Sequence, residues 1–88
     1  MSWICELTDD AKRDLRNLPK AIRKRVARTL DQMQTNPWQG DVKALQGEEW
    51  KGVFRRRLGD YRVLFLPDLE KHIVRVLRIA IRSRKTYR

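Results

Sequence analysis

The chain has 88 residues, 41% hydrophobic and 36% charged, with a formal net charge of +10. A length of this order forms one domain, here 1–88, and buries only about 60–65% of its unfolded surface, so a second site-bearing domain is not expected. No apolar run reaches the ~18 residues of a membrane span, and MSWICELTDDAK lacks the pattern of a secretory signal. The single cysteine, Cys5, excludes an internal disulfide and a cysteine-based zinc site, so a cytoplasmic setting is expected.

Residues 2–7 favour a short strand, stopped at Thr8-Asp9-Asp10. Thr8 is a good helix N-cap, and Asp9 and Asp10 suit the positive end of a helix dipole. Ala11, Leu15 and Leu18 recur at helical spacing and predict a helix over 9–17. Asn17-Leu18-Pro19 breaks it, and Pro19 fits the first position of a second helix over 19–35. Ile22, Val26, Leu30 and Met33 form the apolar stripe of that helix. Lys20, Arg23, Lys24, Arg25 and Arg28 lie elsewhere on it, as a solvated face or as a second basic surface. The two helices read as an antiparallel hairpin.

Residues 37–49 read as an irregular segment punctuated by Pro37, Gly40 and Gly47, with Trp38, Val42 and Leu45 pinning it to the core. Three strands follow, over 50–58, 61–66 and 72–81. Gly59-Asp60 marks a tight turn between the first two, and Pro67-Asp68-Leu69-Glu70 a turn between the second and third. The tail is Arg82-Ser83-Arg84-Lys85-Thr86-Tyr87-Arg88. The predicted class is α+β in the order β-α-α-β-β-β: an N-terminal strand, a helical hairpin and a three-stranded, mostly antiparallel sheet.

The charge is unevenly spread. Residues 1–42 carry 8 basic and 6 acidic side chains, and residues 43–88 carry 13 basic and 5 acidic. A field concentrated in one half implies an acidic partner there. Arg55, Arg56 and Arg57 are consecutive in a strand that must also bury Phe54 and Leu58. Arginine holds phosphate better than lysine, because its donor fork matches the oxygens and it stays charged when partly desolvated. Strand alternation puts Lys51, Val53, Arg55 and Arg57 on one face, and Phe54, Arg56 and Leu58 on the other. Arg62, past the turn, joins Arg55 and Arg57 if the tight turn sets the register. Its alternative is an internal salt bridge to Asp60 or Glu70. The last strand delivers Arg82, Arg84 and Tyr87 beside them.

The usual catalytic groups are missing. His72 is the only histidine, so no histidine pair is available for ribonuclease acid–base work, and it reads as a surface or edge residue. No carboxylate cluster suggests a metal site, no Gly-rich phosphate loop is present, and no Ser-His or Cys-His pair is plausible. Arginine, lysine and tyrosine can still support RNA cleavage by the 2′-OH, which needs alignment, charge stabilisation at the phosphate and a proton for the leaving oxygen. Such a reaction depends on a larger host structure to position the RNA.

The stretch LQGEEWKGVFRRRLGDYRVLF followed by VRVLRIAIRSRKTY resembles the RelE/ParE superfamily of toxin–antitoxin toxins. The Leu-x-Gly loop, the Trp-x-Gly-x-Phe-Arg-x-Arg strand, Gly-Asp-Tyr-Arg-Val and Arg-Ser-Arg-Lys-x-Tyr carry the likeness, which covers essentially the whole chain. It implies a RelE-like α+β toxin neutralised by a cognate antitoxin whose acidic segment covers the basic groove. RelE-type members cleave mRNA in the ribosomal A site, and ParE-type members inhibit DNA gyrase. The RelE-type roles fall here on Arg55, Arg57, Arg62, Arg82 and Tyr87 as catalytic residues. Arg62 and Arg82 would stabilise the phosphate, Arg82 would also give the leaving group its proton, and Tyr87 would stack on a base or assist the 2′-OH. Lys51, Arg56, Arg84 and Lys85 are the expected RNA-binding residues. No metal or small-molecule cofactor is implied. Arginine stays protonated and is a poor general base, so that role falls to Lys51, to Tyr87 or to positioning and electrostatics alone. Some RelE-type members carry lysines where this chain has arginines on the first hairpin strand.

Overall fold

Thr8 starts the first helix as its sequence position predicts. Its hydroxyl accepts the Ala11 N–H at 3.1 Å and donates to the Leu77 carbonyl at 2.9 Å, tying the helix start to the last strand. The computed structural model describes residues 2–81. In chain order the elements are β1 (Ile4–Leu7), α1 (Asp9–Arg16), α2 (Lys20–Thr35), β2 (Val42–Ala44), a 3-10 turn (Glu48–Trp50), β3 (Phe54–Leu58), β4 (Tyr61–Asp68) and β5 (Ile73–Ile81).

The sheet is five-stranded in the order β1-β5-β4-β3-β2. β1 runs parallel to β5, and the other pairings are antiparallel. The α+β class and the helical pair stand as predicted, but the sheet has two more members than the three C-terminal strands. One is β1, joined beside β5. The other is β2, a three-residue strand inside the segment read as irregular. β3 begins at Phe54 rather than at 50, because the 3-10 turn and Gly52, at φ +83°, occupy the chain before it. Pro19 is the N-cap of α2, with φ −55° and ψ 148°, not its first helical residue. β4 continues through Pro67 and Asp68. Its pairing with β3 ends at Phe65, so Pro67 lies where β4 is paired on the β5 side alone and a missing N–H is tolerated. The turn is therefore displaced to 69–72. The Asp68 carboxylate accepts the N–H groups of Glu70 and Lys71, and His72 takes φ +56°.

Val26, Leu30 and Met33 of α2 and Ala11 of α1 pack onto Leu58, Val63, Phe65, Val74, Val76 and Ile79 of the sheet. Phe65 is fully buried at the centre, and truncating such a side chain costs about 3–5 kcal/mol. Both helices thus cover one face of the sheet. Among the described residues no helix packs on the opposite, open face, and that sets where the arginines stand.

Candidate nucleic-acid interface

Cross-strand partners share a face, so the register defines the open side. Lys43, Arg55, Leu64 and Arg78 stand side by side across β2, β3, β4 and β5. The next row toward the Gly59-Asp60 turn is Arg57, Arg62 and Ala80. Arg57 and Arg62 are direct partners, as the tight-turn register predicts. In the opposite direction Leu66, Arg75 and Glu6 align, and Arg75 reaches Glu6 at 3.4 Å. Val53 and Leu64 are buried yet lie outside the main core. Leu64 is flanked in register by Arg55 and Arg78. An apolar floor with cations at its borders is thus built into the open face.

The basic side chains differ in how they are held. Arg55 is only 16% exposed along its side chain, and its Nη1 donates to the Asp41 carboxylate at 3.3 Å and to the Asp41 carbonyl at 3.4 Å. Arg57 is exposed, and its backbone N–H bonds the Asp41 carbonyl at 2.9 Å. Arg62 is half-buried. Arg56 lies on the helix side, in the row Val42, Arg56, Val63 and Ile79. Its Nη1 donates to the Gln39 carbonyl, and its Nε is buried without a hydrogen-bond partner among the described residues. Gly40, at φ +90°, is needed here: a Cβ on it would stand 2.5 Å from the Arg56 guanidinium carbon. Arg56 therefore holds the 37–41 loop rather than joining the open-face cluster. Lys51 is exposed in the turn ahead of β3, outside the strand register.

Ala80 pairs with Arg62 and Ile81 with Tyr61, so β5 brings the chain to the Arg57–Arg62 row. Arg82, Arg84, Lys85 and Tyr87 lie outside the described residues. The structure thus gathers Arg55, Arg57 and Arg62 on one face and sets Arg56 apart.

Sequence reasoning did not single out Lys43 and Arg78 in the Arg55 row. Lys43 required β2 to be seen. Arg78 follows from alternation along β5, once the irregularity opposite Leu64 and Phe65 is known. Nor did it find Asp14. That carboxylate accepts Arg78 Nε at 2.8 Å and the Ile79 backbone N–H at 2.9 Å, past the point where β1 stops pairing with β5. The Arg78 hydrogen bond holds Asp14 below the usual carboxylate range, and the Ile79 N–H adds to that against the opposing effect of burial.

The remaining candidates act as packing groups. The Cys5 thiol donates to the Leu30 carbonyl at 3.4 Å and is pushed up first by burial and then by Asp31. A thiol so held is a weak nucleophile. His72 stacks on Trp3 with centroids 4.5 Å apart, and Trp38 packs edge-on against Phe54 at 5.0 Å. Among the described residues no group of three or more His, Cys, Asp and Glu side chains is gathered for a metal, and no helix is long and apolar enough to cross a membrane.

The family described as "ParE toxin of type II toxin-antitoxin system, parDE" matches residues 5–86. The RelBE2 toxin–antitoxin complex of Mycobacterium tuberculosis contains a chain 31% identical, with TM-score 0.82, covering 93% of this chain and 100% of that one. The archaeal RelE–RelB complex of Pyrococcus horikoshii gives 28% identity and TM-score 0.79, over 96% and 99% of the two chains. The isolated E. coli RelE toxin shares the fold at 20% identity, with TM-score 0.78 over 94% and 87%. No curated protein matches.

Proposed function

The chain belongs to the family of ParE toxins of type II toxin–antitoxin systems, and we propose that within it this toxin is a ribosome-dependent mRNA endoribonuclease. The observation that supports the reading is the direct pairing of Arg57 with Arg62 on the open sheet face, one row from Arg55. Two arginines at one cross-strand position concentrate positive charge there. A phosphodiester suits that field, and it gains most as its charge grows in the transition state.

The reaction is attack of a ribose 2′-oxygen on the adjacent phosphorus. The 2′-O–P bond forms, the P–O5′ bond breaks, the 2′ proton leaves to a base and the departing 5′ oxygen takes up a proton. The products are a 2′,3′-cyclic phosphate and a 5′-OH end. Arg57 and Arg62 stabilise the phosphate oxygens. Arg55, held by Asp41, extends the field along the RNA. Arg82 adds phosphate contact and the leaving-group proton. Tyr87 stacks on a base or assists the 2′-OH. Lys51, Arg84 and Lys85 contact the RNA backbone, and Arg56 is assigned to the scaffold. No histidine pair is at hand for acid–base work, so the rate depends on alignment of the 2′-OH, and the ribosome is assigned the task of positioning the mRNA. A cognate antitoxin is the expected protein partner, in keeping with the toxin–antitoxin complexes among the structural neighbours. Its acidic segment covers the basic face.

The test is primer extension on a defined mRNA with purified protein, with and without ribosomes, comparing wild type with Arg82→Ala. New 5′ ends that need ribosomes and disappear in the variant support the reading. No cleavage in either condition removes it. The ParE name of the matched family favours a second reading; the resemblance implies for that branch inhibition of DNA gyrase without RNA cleavage, which a gyrase supercoiling assay then decides.

A further inference from the structure

Val74, Val76 and Ile79 of β5 all pack into the core on the helix side. Val76 and Ile79 are three residues apart, an odd interval that plain strand alternation forbids. The register accounts for it. Val76 pairs with Phe65 and Arg78 with Leu64, so Leu77 stands opposite no residue of β4 and forms a β-bulge. Without that extra residue, Arg78 and Ala80 would turn toward the core and Ile79 toward the open face. The bulge therefore puts Ala80 beside Arg62, in the row that holds Arg57. Arg82, to which the proposed reaction gives the leaving-group proton, follows Ala80 by two residues in the sequence.

The bulge is held from the side where β1 ends. Leu7 and Val76 are the last partners of β1 and β5, and among the described residues no strand continues that edge. α1 takes its place. The Thr8 N–H donates to the Val76 carbonyl at 3.0 Å, and the Thr8 hydroxyl donates to the Leu77 carbonyl at 2.9 Å. The Ile79 N–H donates to the Asp14 carboxylate at 2.9 Å. The backbone is thus tied to α1 before the bulge, at it and just beyond it. Helix capping accounts for Thr8 but not for Asp14. Asp14 sits in the last turn of an eight-residue helix, where the dipole disfavours a carboxylate.

We propose that Thr8 and Asp14 are positioning residues for the cleavage site, a role that rests on the nuclease reading. From α1 they lock the Leu77 bulge and hold the end of β5 in the phase that sets Ala80 against Arg62. They act through the backbone of β5 and touch no RNA. What matters at Asp14 is an oxygen that accepts the Ile79 N–H, and Arg78 steadies that oxygen from its Nε at 2.8 Å. Displacing reacting groups by about 1 Å costs about 100-fold in rate. A loosened bulge therefore slows the chemical step and leaves ribosome binding intact.

The test is single-turnover cleavage of a defined mRNA on programmed ribosomes, read as a rate constant at saturation and a half-saturating ribosome concentration. Asp14→Ala is expected to lower the rate constant at least about ten-fold and to leave half-saturation within about two-fold. Asp14→Asn keeps an oxygen for the Ile79 N–H and is expected to recover most of the rate. Thr8→Ala and Thr8→Ser give the same contrast at the other clamp, which keeps the test valid if Asp14→Ala folds poorly. Val26→Ala, a core truncation on α2 that also costs stability, is expected to cut at the wild-type rate wherever urea titration finds it folded. An equal loss in Val26→Ala would overturn the proposal by reducing the effect to lost stability. A rise in half-saturation in Arg78→Gln and Asp14→Ala alike would also overturn it, by making Arg78 a contact to RNA. Wild type that cuts nothing overturns the nuclease reading and this role together. Wild type that cuts no faster than Asp14→Ala and Thr8→Ala overturns this role alone.

Discussion

Arg57 on β3 and Arg62 on β4 are direct cross-strand partners, so the sheet sets two guanidinium groups at one position on its open face. Like charges directly opposite are destabilising, and exchanging one member changes stability by about 0.2–1 kcal/mol. Arg57 is the exposed member. Arg57→Gln is therefore expected to raise unfolding stability by that amount in urea titration. In the primer-extension assay with ribosomes the same variant is expected to lose cleavage. A variant that is both less stable and fully active would remove the phosphate role of this pair.

Asp14 and Ile79 define a different kind of contact, between a helix carboxylate and a strand edge. Removing the carboxylate leaves the Ile79 N–H unpaired and Arg78 without its acceptor. Asp14→Ala is expected to cost about 1–3 kcal/mol at pH 7. The sign with pH follows from the direction of the shift. The folded-state pKa of Asp14 is depressed, chiefly by Arg78. Its contribution is therefore complete above the unfolded value of about 3.9 and is lost as pH falls through the lower folded value. Urea unfolding at pH 7 and pH 2.5 is expected to show the gap between wild type and Asp14→Ala narrowing at the lower pH. A gap that widens in acid would contradict it.

These two pairs mark how far the sequence was legible. Arg57 and Arg62 were placed together from a Gly-Asp turn and strand alternation, both local properties. The stripe of α2, Val26, Leu30 and Met33, was read in the same way. Asp14 was not legible, because its partner is 65 residues away and its helical position resembles any solvated acid. β2 escaped because Val42–Ala44 is too short for a period and is defined by pairing with Phe54–Arg56. The union of β1 with β5 is likewise a tertiary choice. Pro67 read as a turn residue, because a proline is admitted to a strand only where one side lacks a partner, and that depends on where β3 ends. Strand alternation did put Arg56 on the helix side, but its loop contacts at Gln39 and Gly40 came from the fold.

Asp41 holds Arg55, and its own side chain is 49% exposed. An ion pair so open to water contributes at most about 1 kcal/mol. Asp41→Ala is therefore expected to leave stability within that range while loosening Arg55, which keeps only its bond to the residue-41 carbonyl. Affinity for a single-stranded RNA oligonucleotide is expected to rise, with a steeper salt dependence. Filter binding across a salt series checks it. Weaker binding in Asp41→Ala would mean that the carboxylate orients Arg55 for RNA rather than competing for it.

Gly40 and Arg56 are coupled by space. At φ +90° an alanine is strained, and its Cβ would meet the Arg56 guanidinium at 2.5 Å. Backbone strain of this kind costs about 1–3 kcal/mol, and displacing Arg56 removes its bond to the Gln39 carbonyl as well. Gly40→Ala is expected to destabilise by at least that amount. In an Arg56→Ala background the clash is gone and only the backbone term remains, so Gly40→Ala should cost less there than in wild type. A double-mutant cycle from urea unfolding reads the difference as a coupling energy, with contacting residues typically giving about 0.5–3 kcal/mol. Strict additivity would show that Arg56 does not anchor the 37–41 loop. Its guanidinium would then be free for the RNA role that its place in the arginine run implies.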